Sequence, residues 1–397
     1  MSFIEDARKL LKENIRDYGM YIALLVIVVF FAIATDGVFI SPRNLVNLVN
    51  QTGYIAVLAI GMTLVIVIRH IDLSVGFLAG FLGAVAAIGL VEYELPVFVV
   101  IPIVLFIGIL AGRLTSLMVA NLGIPAFVAT LAGWLGYRGA LQLATRSTGT
   151  IVIPNDTFNA IGNDFIPELP GMVDSTFLPG LHKTTLILGL IAIIVFVVGE
   201  FAKRRRLRNQ ESEISSSGMF ILKLVGGTVL IGGVSWILAG YRGLSWTAVV
   251  VIIVVIVYHF ITTQTVLGRH IYAVGGNPEA AELSGISVKR ITHVVFGSMG
   301  MLAALAGILF AARLQSATTT AGTLFELDAI AASFVGGVSA GGGIGTVIGS
   351  IIGAFVMSSL TNGMNLMGID ISYQYIVRAF VLAGAVIFDV TTRKSSD

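Results

Sequence analysis

The sequence predicts an all-α polytopic membrane protein with about twelve transmembrane helices and both termini in the cytosol. Hydrophobic residues make up 56% of the 397 residues and charged residues only 12%, whereas charged residues are about 25% of an ordinary soluble domain. The mean hydropathy is +0.95. Apolar segments recur along the whole chain, so we expect residues 1–397 to form a single transmembrane domain with no separate soluble domain.

The predicted spans follow from the length of each apolar segment. A helix needs about 20 mostly apolar residues to cross ~30 Å of hydrocarbon. Segment 327–340 is short and rich in glycine, so we expect either a full span or a half-span that re-enters the membrane. The predicted spans lie near residues 18–35, 53–68, 73–91, 96–112, 124–144, 184–201, 219–239, 246–263, 292–312, 327–340, 345–364 and 371–390.

The basic residues set the predicted orientation. With the N-terminus in the cytosol, most of the 24 Lys and Arg residues fall on the cytosolic side, as the positive-inside rule requires. The charged run "KRRRLRNQESEISSSG" at 203–218 is then cytosolic and anchors the topology. The polar connection 145–183 is then an external loop, and it is either a simple linker or a docking surface for an external partner.

Several kinds of chemistry are missing from the sequence. The chain has no cysteine, so disulfides, thiolate metal sites and cysteine catalysis are excluded. No "GxxxxGK[ST]" motif is present, and the run "GGVSAGGGIG" lacks the lysine that contacts phosphates. The predicted spans hold no cluster of His, Asp and Glu that would indicate an enzyme or a metal site. A net charge of +2 with dispersed basic residues gives no sign of nucleic-acid binding.

The stretch "VGGNPEAAELSGISVKR" at 274–290 predicts a short helix on the cytosolic surface. Asn277 is a good N-cap, Pro278 fits the first helical position, and Glu279 places negative charge in the first turn. Gly285 supplies a left-handed stop after about seven helical residues. The helix either anchors two spans at the membrane surface or docks a cytosolic protein. Its residues are Asn277, Pro278, Glu279, Ala280, Ala281, Glu282, Leu283, Ser284 and Gly285.

This stretch resembles the coupling loop of permease subunits in bacterial ABC importers for monosaccharides. The ribose and xylose permeases have similar "GGN-EAARLSGI" segments. Two further blocks, "AIGMTLVIVIRHIDLSVGFLAG" at 59–80 and "ELDAIAASFVGGVSAGGGIGTVIGSIIGAF" at 326–355, resemble the family in the same order. The chain also has an inserted helical hairpin, residues 184–239, which is similar to the xylose or multiple-sugar permease subgroup.

The resemblance implies a ten-helix core like that of type II ABC importers, with the hairpin added, in the bacterial cytoplasmic (inner) membrane. It implies that residues 269–291, here called the coupling segment, contact a cytosolic ABC ATPase. It further implies a homodimer in membrane lipid and an external, periplasmic sugar-binding protein. ATP and Mg would bind to the ATPase, so no cofactor and no catalytic residue is expected in this chain.

A sugar path requires polar groups for hydroxyls and an aromatic surface for the apolar face of a pyranose. Asp72 is either part of that path or, with Ser74, the cap of the following helix. The aromatic residues among the candidates either line the path or belong to an interfacial belt. The candidates are Asn50, Gln51, Asp72, Ser74, Trp134, Tyr137, Asn362 and Asn365.

Two further features concern packing inside the membrane. Arg378 lies within the last predicted span and requires a partner, for which Glu326 and Asp328 near the outer surface are the candidates. The "SAGGGIG" loop suits a broken helix that lines a cavity. Glycines at i, i+4 spacing let helix backbones approach closely, within one subunit or at a dimer seam. These glycines are Gly76, Gly80, Gly345, Gly349 and Gly353.

A secondary sugar transporter driven by a proton or sodium gradient is the alternative function. Such a transporter would require buried carboxylates or unwound segments at the membrane midplane. The acidic residues of this chain lie mostly at the ends of the predicted spans, and a gradient-driven protein would have no use for the coupling segment. The transported sugar, a pentose or a hexose, is left open.

Overall fold

The computed structural model describes residues 15–172, 178–209 and 217–394, and these residues are almost entirely helical. The first half of the chain contains α1 (Ile15–Ala34), α2 (Pro42–Val67), α3 (Val75–Val91), α4 (Val97–Ser116, continued by a π-helix over Leu117–Asn121), α5 (Ala126–Ala144), β1 (Thr150–Val152), α6 (Asp156–Asn163) and α7 (Lys183–Asn209). The second half contains α8 (Ser217–Ala239), α9 (Trp246–Gln264), α10 (Val266–Gly276), α11 (Pro278–Leu283), α12 (Val288–Leu314), β2 (Ser316–Thr318), α13 (Phe325–Val335), α14 (Val347–Leu366) and α15 (Ile371–Lys394).

The helices confirm an all-α polytopic membrane protein. Among the described residues, eight helices are long and apolar enough to cross a membrane, namely α2, α4, α7, α8, α9, α12, α14 and α15. Two shorter apolar helices lie within α1 and α3. These ten helices match ten of the twelve predicted spans. The two predicted spans without a match are those at α5 and α13. The helix α5 forms as expected but is less apolar, and α13 has only 11 residues, about 16 Å of helix and roughly half of a bilayer.

The helix α12 lies at the centre of the bundle and packs against α2, α3 and α4. Small residues allow these helices to approach closely. Gly300 lies against the backbone of Gly108 on α4, and Gly307 lies against the backbone of Ala79 on α3. A side chain at either glycine would collide with a carbonyl oxygen. The core is therefore held by contacts between backbones, as is common where lipid supplies no hydrophobic drive.

The half-helix α13 enters the bundle between longer helices. It packs antiparallel on α14, with Ala332 beside Gly353 and Gly336 beside Gly349. The first residue before α13, Leu324, has a φ of 65°, which reverses the chain from the preceding turn into the helix. Residues 336–346, here called the glycine-rich loop, separate α13 from α14. This arrangement is the half-span alternative for segment 327–340.

The five glycines predicted to pack helices make their contacts within this chain. Gly76 and Gly80 face the backbone at Gly322 and Ala321 before α13. Gly349 and Gly353 face α13, while Gly345 has a φ of 155° and packs on Val338 in the glycine-rich loop.

Replacing Gly353 by alanine tests this packing, because its added Cβ would collide with the backbone carbonyl oxygen of Ala332. We expect a loss of about 1–3 kcal/mol, the usual cost of overpacking, seen as a lower unfolding temperature in detergent. The matched control is Gly199→Ala in α7, where no atom lies within 4 Å of the new methyl group. If both variants unfold at the same temperature, α13 and α14 do not depend on this close contact.

The inserted hairpin consists of α7 and α8, which pack mainly on each other and are largely exposed. Gly189 faces Ser235 across the pair, and Lys223 and Glu200 form an ion pair of 2.7 Å. The chain enters and leaves the hairpin at one point, because the His182 amide donates to the Ala239 carbonyl at 2.9 Å. The hairpin is therefore attached to the side of the bundle.

The described part of the external loop folds onto the outer ends of the helices. Strand β1 pairs antiparallel with β2, with Ile151 opposite Ala317. Phe158 of α6 is fully buried, and Asn163 donates to the Ala312 carbonyl at 2.8 Å. For residues 145–183, this packing is more consistent with a docking surface for an external partner than with a simple linker.

Candidate functional site

The predicted surface helix is α11, which has six residues, one fewer than expected. The Asn277 side chain accepts from the Ala280 amide at 3.0 Å, so it is the predicted N-cap. At the other end Gly285 has a φ of 85°. The Gly285 and Ile286 amides donate to the carbonyls of Glu282 and Ala281, which is a Schellman stop. Capping residues at both ends therefore define this helix locally.

One face of α11 is held by the protein and the other projects outward. Ala281 is only 5% exposed and anchors the helix, whereas Leu283 is 92% exposed. Glu279 and Glu282 are also exposed and flank Leu283. Carboxylates beside the leucine are unfavourable in lipid. The projecting face therefore suits a partner that has an apolar pocket bordered by basic groups.

The opposite, predicted external side of the bundle contains a polar cavity of about 320 Å³, here called the outer cavity. Gln51 and Asn365, predicted path residues, both line it. Tyr54 and Phe310 form an aromatic corner with ring centroids 5.1 Å apart. The polar and charged lining includes Gln51, Tyr54, Arg313, Asp328, Asn365 and Arg378.

A second cavity of about 380 Å³ adjoins the outer cavity and shares Arg313 and Leu314 with it. Asn50 lines the second cavity and is 7% exposed, and its side-chain oxygen accepts no hydrogen bond from the described residues. Arg43 and Arg242 also line this space. The two cavities together therefore have more basic than acidic groups, and Asn50 has a free acceptor.

Asn362 and Asn365 make polar contacts between helices. Asn362 donates to Asn44 at 3.2 Å and accepts from it at 2.8 Å, so its amide mainly joins α14 to α2. The Asn362 amide also lies 3.5 Å from the Gln51 side-chain oxygen. Asn365 accepts from Gln374 at 2.7 Å. Of the two, Asn365 is the one that lines the outer cavity.

The partner of Arg378 is Asp328, and their ion pair lies in the wall of the outer cavity. Glu326, the other predicted partner, is 5% exposed and instead accepts from the Trp134 indole at 3.1 Å. Glu326 lies beside Gly76 at the start of α3, so it is buried in the bundle and not near the outer surface as predicted. The half-helix α13 begins deeper than its sequence suggests.

Two further predicted path residues, Trp134 and Tyr137, lie between α3 and α5 and do not line the outer cavity. Trp134 packs edge-on against Phe77, with centroids 5.0 Å apart, and Tyr137 stacks with Phe81. These contacts place both rings against α3.

Asp72 lies in the connection between α2 and α3. It accepts from the Ser74 amide at 2.9 Å and from the Ser74 hydroxyl at 2.6 Å. Burial raises the pKa of the Asp72 carboxyl to about 6, and the two bonds from Ser74 oppose that rise. The helix α3 begins at Val75, with Ser74 in the N-cap position and no capping hydrogen bond from its side chain, so Asp72 orders the turn that precedes the helix.

The residues that sequence analysis missed are Tyr54, Phe310 and Arg313. They lie on α2 and α12, far apart in sequence, and only the tertiary packing brings them together. No local motif marks them. Among the described residues, no group of three or more His, Cys, Asp or Glu side chains is placed to hold a metal ion.

A bundle of apolar helices with a polar cavity on one side and a projecting capped helix on the other defines a membrane transport subunit, a permease. The chain belongs to the family described as branched-chain amino acid transport system / permease component, whose model matches residues 44–386. It is therefore a transport subunit and not an enzyme, and it is a multi-pass protein of the inner membrane.

Similar proteins agree with the sequence motifs. The xylose transport system permease protein of Haemophilus influenzae is 39% identical over 97% of this chain and 99% of its own length. The xylose permease of Escherichia coli K12 is 37% identical over 96% of this chain and 94% of its own. The ribose import permease protein of Haemophilus influenzae is 35% identical, covering 93% and 91%. No solved structure matches the chain. The predicted likeness to ribose and xylose permeases is confirmed.

Proposed function

We propose that this chain forms the translocation path of an ATP-driven importer for a monosaccharide, a pentose or a hexose, delivered by an external binding protein. Relatives named for xylose and ribose transport are similar over more than nine tenths of both chains. The observation that carries the proposal is α11, a capped helix whose leucine and two glutamates project from the protein. A cytosolic ATPase docks there, binds ATP and Mg, and supplies the energy. No cofactor binds to this chain.

The functional permease in this proposal is a homodimer in membrane lipid. Its support is the resemblance to type II importers, whose path is formed between two permease subunits. The helices α7 and α8 lie at the side of each subunit. Mass photometry of the purified chain in nanodiscs measures the oligomeric state, and a monomeric species that still transports sugar would contradict this part of the proposal.

The outer cavity is the proposed site where a sugar enters the path. Its volume of about 320 Å³ falls within the roughly 300–1,000 Å³ usual for small-molecule sites. Gln51, Asn365 and Arg313 offer donors and acceptors for hydroxyls, while Tyr54 and Phe310 offer an apolar surface. Trp134 and Tyr137 were candidates for that aromatic role, with an interfacial belt as the alternative, and the contacts of Tyr54 and Phe310 with the cavity favour the α2 and α12 pair.

Replacing Gln51 and Asn365 together by alanine is expected to lower sugar uptake at limiting sugar on the order of tenfold, because each lost hydrogen bond is worth ~1 kcal/mol. Uptake of radiolabelled xylose and ribose into proteoliposomes measures this effect. The matched control is Gln264→Ala, an exposed amide at the far end of α9, which should leave uptake unchanged. Equal uptake by the double variant and the natural chain would move the sugar path elsewhere.

The same proteoliposomes test the whole proposal. With the ATPase and sugar-loaded binding protein present, uptake should require ATP on the side of the membrane where α11 projects. Ionophores that collapse proton and sodium gradients should have no effect. Uptake that follows either gradient without ATP would establish the secondary-transporter alternative.

A further inference from the structure

The C-terminal end of α2 has a capping motif with an unusual residue. The Arg69 amide donates to the Ile66 carbonyl at 2.8 Å, and the His70 amide donates to the Val65 carbonyl at 3.0 Å. This is a Schellman stop, in which the residue with positive φ is most often glycine. Here it is Arg69, with a φ of 65°. This conformation is unfavourable for an arginine, so its presence here indicates that the arginine side chain makes contacts that compensate for the strain.

The Arg69 side chain donates hydrogen bonds to the C-terminal end of α10. Its Nε donates to the Gly275 carbonyl at 2.7 Å, and one of its terminal nitrogens donates to the Gly276 carbonyl. These are the last two residues of α10, where carbonyls lack partners within the helix and carry partial negative charge. Pro278, the first residue of α11, follows two positions later. Arg69 therefore joins the end of α2 to the base of the docking helix.

The backbone around this bond is tightly packed. Gly275 lies directly against the Val67 carbonyl at the end of α2, leaving no space for a side chain. The same Val67 carbonyl accepts from the Gly343 amide at 2.8 Å. The Tyr272 hydroxyl on α10 donates to the Gly345 carbonyl at 2.6 Å. These contacts join the end of α2 to the end of α10 and to the glycine-rich loop. The contact region is here called the joint.

The joint connects the cytosolic face with the outer cavity. The helix α2 has 26 residues and is buried along most of its length. Its other half carries Gln51 and Tyr54, which line the outer cavity. The glycine-rich loop leads to α13, which carries Asp328 in the wall of the same cavity. A displacement of α11 that moved α10 would therefore act on two sides of the cavity through the joint.

We propose that Arg69 is the positioning residue that transmits movement of α11 to α2 and the glycine-rich loop, and so links ATP hydrolysis to sugar movement. This inference rests on the proposed function, because it takes α11 as the docking helix. Lysine at this position would keep the charge and lose the planar fork that contacts two carbonyls. Glycine would lose the side chain altogether while suiting the positive φ.

The test uses Arg69→Gly and Arg69→Lys in the complete assembly of permease, ATPase and binding protein in proteoliposomes. Both variants should still co-purify with the ATPase, because α11 and its caps are intact. The number of sugars imported per ATP hydrolysed should fall on the order of tenfold, within the usual range of coupling between sites. Arg69→Gly also suits the positive φ, and its co-purification with the ATPase reports that the variant is folded.

The control is Arg113→Lys. Arg113 is likewise exposed at the cytosolic end of a span, and within the described residues its side chain donates no hydrogen bond to a backbone carbonyl. Import per ATP should be unchanged in this variant. The inference is overturned if Arg69→Gly imports as much sugar per ATP as the natural chain. It is also overturned if the Arg69 variants lose the ATPase, since Arg69 would then support docking and not transmission. Failure of the natural chain to bind an ATPase would instead refute the proposed function.

A second measurement follows the movement itself. The chain has no cysteine, so a single Asn47→Cys carries one environment-sensitive fluorophore on the outer half of α2. ATP added to the assembly should change its fluorescence in the natural background. The change should be lost with Arg69→Gly and kept with Arg113→Lys. An ATP response of equal size in all three backgrounds would show that α2 moves without Arg69.

Discussion

Reversing the charge of Glu279 and Glu282 together, as Glu279→Arg plus Glu282→Arg, is expected to abolish co-purification of the ATPase and the stimulation of its activity by sugar-loaded binding protein. Both carboxylates are exposed beside the projecting Leu283. Placing like charges opposite each other in an interface costs several kcal/mol, and a loss of 3 kcal/mol corresponds to about a 150-fold weaker complex. The measurement is ATP hydrolysis in lipid nanodiscs, with and without the loaded binding protein.

The matched control reverses two glutamates on the opposite side of the membrane, Glu92→Arg plus Glu94→Arg. These residues are exposed in the connection between α3 and α4, and the change in net charge is the same. Co-purification with the ATPase should be unaffected. If the Glu279 and Glu282 variant binds and stimulates the ATPase like the natural chain, α11 is a membrane-surface anchor and the importer proposal loses its main support.

Replacing Asp328 by alanine is expected to have the largest effect on stability. Asp328 and Arg378 are 22% and 18% exposed, so removal of the aspartate leaves a largely buried guanidinium without its counterion. Breaking a buried pair in this way costs about 3–5 kcal/mol. Thermal unfolding in detergent, followed by size-exclusion chromatography, should show much less folded protein than for the natural chain.

A second substitution distinguishes the ion pair from the aspartate itself. Asp328→Ala combined with Arg378→Met removes both charges and should recover most of the stability. The control is Asp370→Ala, because the exposed Asp370 carboxylate, just before α15, accepts only from Ser372 among the described residues, so only the small loss of an exposed helix cap is expected. If Asp328→Ala is as stable as the natural chain, Arg378 finds another partner and the pair does not hold the cavity wall.

Local features of the sequence predict the helix α11 well. Asn277 and Gly285 act through hydrogen bonds and backbone angles within a few residues, so their roles follow from the sequence alone. The same holds for the apolar spans, because length and hydropathy suffice. At α5 this signal weakens, since polar residues such as Arg138 and Gln142 lower the hydropathy of a helix that packs against α3 along one face and is exposed on the other.

The sequence did not predict how deeply some residues are buried, or which residues far apart in the chain contact each other. Glu326 follows an external segment in sequence, yet it lies buried against Trp134, because α13 begins inside the bundle. Asn362 carries the amide expected of a path residue, but its bonds go mainly to Asn44, 318 positions away. Tyr54 and Arg313 meet only when α2 and α12 pack. Such positions depend on which helices become neighbours, which local patterns do not encode.

The hairpin of α7 and α8 has an evolutionary consequence. Because its two ends meet at the hydrogen bond between His182 and Ala239, the helices on either side of it would occupy the same places without it. A single insertion or deletion in the gene can therefore add or remove α7 and α8 without changing how the other helices are connected and packed. The hairpin can thus be gained or lost as a unit while the joint at Arg69 and the outer cavity keep their geometry.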